Sequence, residues 1–149
     1  MLSTHSQRGF TLTEIAIVLA LIGVLASYSI YTFRTSRALA SLKDAKASLV
    51  LTLEDARSKA ATGSGSSDHG VRINTNEIIS FEGTDYAGRA SEFKVALPNG
   101  VSSSQNNLDI IFERLSTELN IGAVTTITLT SASTSSTTQV TISPDGAIN

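Results

Sequence analysis

The chain has 149 residues, 41% of them apolar, a formal net charge of −2 and no cysteine. That length allows one domain plus an anchor. Without cysteine, disulfides, thiolate metal sites and thiol catalysis are excluded, and so small a net charge names no partner.

Residues 1–9 are a basic, polar leader ending in Gly9, and Phe10 follows at once. Residues 10–33 are apolar almost throughout, with Glu14 their only charge. As a helix this segment spans about 36 Å, enough for a hydrocarbon core of about 30 Å. An ionised carboxylate at that depth is costly, which marks Glu14 as a functional residue. Two plainer readings compete: a secretory signal cut after Val24-Leu25-Ala26, and an uncleaved anchor. Glu14 inside the apolar core, and a helical pattern that runs past the supposed cut, argue against the first.

No helix breaker follows until Gly63. Leu39, Leu42, Ala45, Leu49, Leu53, Ala56 and Ala60 recur in steps of three and four, the stripe of a core-packing helix. One continuous helix is therefore expected over residues 10–61, apolar all round in its first half and amphipathic in its second. Asp55 and Lys59 add an i,i+4 pair in the favourable order. Residues 63–70, rich in Gly and Ser, end the helix as a flexible connector. Short strands then alternate with turns: 71–74, 78–81, 93–97, 108–112, 125–130, 139–143 and 147–148. Turn chemistry lies at Glu82-Gly83-Thr84-Asp85, Pro98-Asn99-Gly100 and Pro144-Asp145-Gly146, and residues 131–138 form a polar hairpin loop. Residues 113–120 read equally as a helical turn or an irregular crossover. The expected fold class is α+β, a long N-terminal helix packed on an antiparallel sheet.

Charge is unevenly laid out. Residues 34–59 hold six bases against three acids, whereas residues 63–149 hold four bases against nine acids. The histidines, His5 in the leader and His69 in the connector, belong to no Ser–His–acid set, and no phosphate loop is present. The head carboxylates read as solvated surface. Asp68, Asp85 and Asp109 could supply oxygen ligands to calcium, but no spaced loop joins them. Arg72, Arg89, Lys94 and Arg114 could be read as a DNA patch, and the acidic balance of the head works against it.

Residues 8–33 resemble the class III leader and N-terminal helix of type IV pilins and pseudopilins. The matching features are the short leader, Gly9, Phe10, Thr11, Glu14 at the fifth position after the expected cut, and the long apolar helix. The head resembles, more loosely, minor pseudopilins and minor pilins of the GspH/FimT group. There the corresponding residues are Ala56-Arg57-Ser58-Lys59-Ala60, Phe81-Glu82-Gly83 and the closing Val140-Thr141-Ile142-Ser143-Pro144-Asp145-Gly146-Ala147-Ile148. The pattern is broken at Tyr31, where many members carry proline, and at Thr13, usually aliphatic; the disulfide-closed loop of major pilins is excluded.

This resemblance implies a leader (1–9), a transmembrane and assembly half of the helix (10–33), an amphipathic half (34–62) and a β-rich head (63–149). It implies cleavage between Gly9 and Phe10 by a membrane prepilin peptidase and N-methylation of Phe10. Glu14 would pair with the Phe10 amine of a neighbouring subunit. The implied function is a structural subunit, minor pilin or pseudopilin, of a type IV pilus or type II secretion pseudopilus. No catalytic, cofactor-binding or metal residues are expected. The implied partners are other pilin subunits, the peptidase, an inner-membrane assembly platform and, before assembly, membrane lipid, with the head outside the cytoplasm. A DNA-binding or adhesive minor pilin, and a major pilin, are the alternatives.

Overall fold

A computed structural model describes residues 9–116 and 119–149. The chain divides into two compact units after Ser36. Helix α1, Leu12–Thr62, begins in the first and ends in the second.

Leu42, Ala45, Leu49, Leu53, Ala56 and Ala60 form the buried stripe of α1, six of the seven residues expected from the spacing. The seventh, Leu39, is exposed. The helix stops at Gly63, whose φ of 67° suits a residue without a Cβ. Gly63 N–H donates to the Ala60 carbonyl at 3.0 Å and Ser64 N–H to the Lys59 carbonyl at 2.9 Å. These are the two bonds of a Schellman cap, and they satisfy carbonyls that the last turn leaves open.

Among the described residues seven strands follow: β1 His69–Ile73, β2 Glu77–Glu82, β3 Ser91–Ala96, β4 Val101–Ser103, β5 Leu108–Phe112, β6 Thr125–Ser131 and β7 Thr137–Ile142. They form two sheets rather than the single one expected, in the orders β3-β2-β1-β5 and β4-β6-β7, with every pairing antiparallel. The division falls at Pro98-Asn99-Gly100. Leu97 N–H still bonds the Asn76 carbonyl beside the first sheet, whereas Val101 N–H closes a turn on the Pro98 carbonyl and starts the second. Pro98 has no N–H to continue the ladder. Strand β4 lies outside the strands expected from the sequence, because three residues are too few to show an alternation. Of the expected 147–148 strand, only a bridge between Ile142 and Ile148 forms. Leu115 N–H bonds the Ala60 carbonyl and Phe112 bridges to Leu119; residues 117 and 118 of the ambiguous 113–120 stretch lie outside the described residues.

One core joins these parts. Val71, Ile73, Ile78, Ile110 and Phe112 of the first sheet and Val101, Ile127, Leu129, Val140 and Ile142 of the second pack with the helical stripe. The first sheet also buries its other face. Ile79, Phe81 and Ile111 are almost inaccessible, and by register they lie on the face opposite Val71 and Ile78.

Candidate functional site

Two places concentrate chemistry, one in each unit. The first is the start of α1. Gly9, Phe10, Thr11 and Glu14 line a small open cleft of about 370 Å³. The Thr11 hydroxyl accepts a hydrogen bond from Glu14 N–H at 3.2 Å, making Thr11 the N-cap. Thr11-Leu12-Thr13-Glu14 has the spacing of a capping box, a signal that is local in the sequence. Glu14 is thereby fixed in the first turn, where the positive end of the helix dipole favours a carboxylate. Residues 1–8, which belong to the expected leader, lie outside the described residues.

Beyond Glu14 the side chains offer no core. Ile15, Ile17, Val18, Leu19, Leu21, Ile22, Val24, Leu25, Tyr28, Ile30, Tyr31 and Phe33 are all exposed. The helix is long and apolar enough to cross a membrane. Its hydroxyls are turned inward to the backbone: Ser27, Ser29, Thr32 and Thr35 each donate to the carbonyl four residues earlier, at 2.8 to 3.2 Å. A hydroxyl spent on its own helix can face an apolar environment at little cost.

The second place is the outer face of the first sheet. Arg72 holds Asp109 with two bonds of 2.6 Å, across the register pair Arg72–Asp109. Bonding to that carboxylate raises the Arg72 pKa, so the guanidinium is held charged more firmly than usual. The Arg72 and Arg89 guanidinium carbons lie 3.8 and 4.1 Å from the centre of the Tyr86 ring, and Phe81 meets the same ring edge-on at 5.4 Å. Glu92 accepts bonds from Arg89 at 2.7 Å and from Tyr86 at 3.1 Å, with Lys94 at 3.3 Å. The Arg89 bond, with those of Tyr86 and Lys94, draws the Glu92 pKa below the usual carboxylate range against a smaller opposing effect of desolvation.

The head carboxylates, expected as solvated surface, are therefore largely structural. Besides the pairs above, Glu82 accepts from Ser66 N–H, Asp68 from Arg114 N–H and Asp85 from Gly88 N–H. Asp68, Asp85 and Asp109 each serve a different partner, and among the described residues no group of three or more acids and histidines is gathered as a metal site. Of the bases weighed as a DNA patch, Arg72, Arg89 and Lys94 are engaged by carboxylates. His69, expected in the flexible connector, opens β1 and donates from Nε2 to the Ser64 carbonyl at 2.6 Å, tying the connector down.

Residues 4–29 match the model of the prokaryotic N-terminal methylation motif. No curated protein and no solved structure matches the chain. The motif points to a type IV pilin-like structural subunit, and the exposed apolar helix is consistent with a membrane anchor before assembly. The same motif implies processing by a prepilin peptidase and assembly with other pilins.

Proposed function

We propose that the chain is a minor pilin or pseudopilin, resembling the GspH/FimT group, of a type IV pilus or type II secretion pseudopilus. Residues 1–9 are its leader, 10–33 its transmembrane and assembly segment, 34–62 the amphipathic half of the helix and 63–149 its head. Prepilin peptidase cuts between Gly9 and Phe10, and the freed Phe10 amine is methylated. In the filament Glu14 pairs with that amine on a neighbouring subunit. An unpaired charge in a dry helical bundle is far costlier than a paired one, so the pair selects a single axial register.

The observation that carries this reading is a methylation motif joined to a fully exposed apolar helix with one carboxylate in its first turn. Two variants test it. Gly9→Val should leave the precursor uncut by intact-mass measurement; normal release of Phe10 would refute the cleavage assignment. Glu14→Ala should be cut normally yet be missing from sheared filaments. Its recovery there at the wild-type level would rule out the pairing.

A further inference from the structure

Strand β3 ends the four-stranded sheet, and among the described residues only β2 pairs with it. Leu97 N–H bonds the Asn76 carbonyl one step beyond the Glu77–Ala96 pair, which sets the phase of the ladder. Antiparallel bonds alternate, so Ser91, Phe93 and Val95 bond toward β2, and the backbone N–H and C=O of Glu92, Lys94 and Ala96 face outward. Every residue of the strand is exposed except Val95, which is half-buried, although the Glu92 side chain is partly covered by its partners. Phe93 alone is 69% exposed.

Edge strands in native proteins are usually guarded by proline, a bulge, a cover or charges. Residues 91–96, Ser-Glu-Phe-Lys-Val-Ala, contain no proline, and their charges are of opposite sign and two positions apart. That spacing does not repel a second copy. In a two-fold antiparallel contact, outward-facing residues must lie opposite outward-facing ones. A register centred on Glu92 sets two carboxylates against each other, and one centred on Lys94 sets two ammonium groups together. The register centred on Phe93 instead places Glu92 across from Lys94 of the second copy, twice, and Phe93 across from its own counterpart.

We propose that β3 is a self-recognition strand, through which two copies of this chain join edge to edge in the register centred on Phe93. Glu92 and Lys94 then fall on hydrogen-bonded pairs. The two Phe93 residues form a non-hydrogen-bonded pair, with Cα atoms about 4.5 Å apart and side chains at their closest. Aromatic and opposite-charge pairs across strands stabilise, and like charges directly opposite destabilise. Glu92 is already held in place by Arg89 and Tyr86, and Lys94 of its own chain lies 3.3 Å away, so on pairing each Lys94 exchanges its own Glu92 for that of the second copy. A two-fold contact closes on itself, so it links two subunits and does not propagate. It concerns the head alone and stands whether or not the filament assignment does.

The absence of native cysteine permits a direct test on the full-length chain in detergent. Under mild oxidation Phe93→Cys should trap a dimer, at a Cα separation that a disulfide can span. Ser91→Cys, whose counterpart lies four residues out of register, and Glu113→Cys, exposed elsewhere, should stay monomeric. On the Phe93→Cys background, Glu92→Lys and Lys94→Glu should each lower trapping about tenfold, by turning two attractive pairs repulsive. The double reversal should restore it. Trapping of Ser91→Cys or Glu113→Cys equal to that of Phe93→Cys would overturn the proposal. So would a double reversal no better than the single ones.

Discussion

Glu14 and Gly70 show how single residues carry two kinds of information. Glu14 serves the local helix first: in the first turn, behind the Thr11 cap, its charge is favoured by the backbone dipoles. Gly70 is a matter of contact. It sits opposite Phe81 in the ladder, and a Cβ there would clash with the Phe81 ring. Gly70→Ala should therefore destabilise the head by about 1–3 kcal/mol, the usual cost of overpacking. Thermal unfolding will measure it, and Phe81→Leu in the same chain should recover much of the loss. Glu92 supplies a pH dependence. Its pKa is lowered in the folded state, so its contribution is present above the ordinary glutamate value and is lost as pH falls through the folded value. The gap in melting temperature between wild type and Glu92→Gln should be open at neutral pH. It should close well below the ordinary glutamate pKa of about 4.3.

At the scale of elements, α1 changes character along its length without a change of secondary structure. Its later turns bury one stripe against both sheets, and Leu49 and Leu53 in that stripe are fully inaccessible. Leu49→Ala should cost about 2–5 kcal/mol, read as a drop in the denaturation midpoint of the head. Its earlier turns bury nothing among the described residues. On the proposed membrane reading those turns face lipid or other helices, which gives a contrast between two exposed positions. Ile22→Lys puts a charge mid-span at a cost of about 2.5–3.5 kcal/mol and should shift the chain out of the membrane fraction. Leu39→Lys, exposed in the head unit, should leave fractionation unchanged.

For the whole molecule, the head is held together by apolar packing between a helix and two sheets, and it is trimmed by ion pairs. Arg72, Arg89 and Lys94 each face a carboxylate of the same sheet face, and of the three Lys94 is the most exposed. Among the described residues β3 is an open edge of the first sheet, and its charge order is the feature that a second copy can read.

The helix, its stripe and its stop at Gly63 were legible in the residues, because an amphipathic helix writes its own period and a breaker marks its end. The methylation motif was legible for the same reason, being contiguous. Strand positions were legible too, to within two residues for the six that formed full strands. What could not be read was partnership. Nothing local says that Pro98 separates two sheets, that three residues after Gly100 pair with β6, or that Arg72 finds Asp109. Nor does it say that Phe93 is left bare while Phe81, a neighbour in the same sheet, is buried. Those outcomes depend on which strands become neighbours, and residues far apart in the chain settle that only when the core closes.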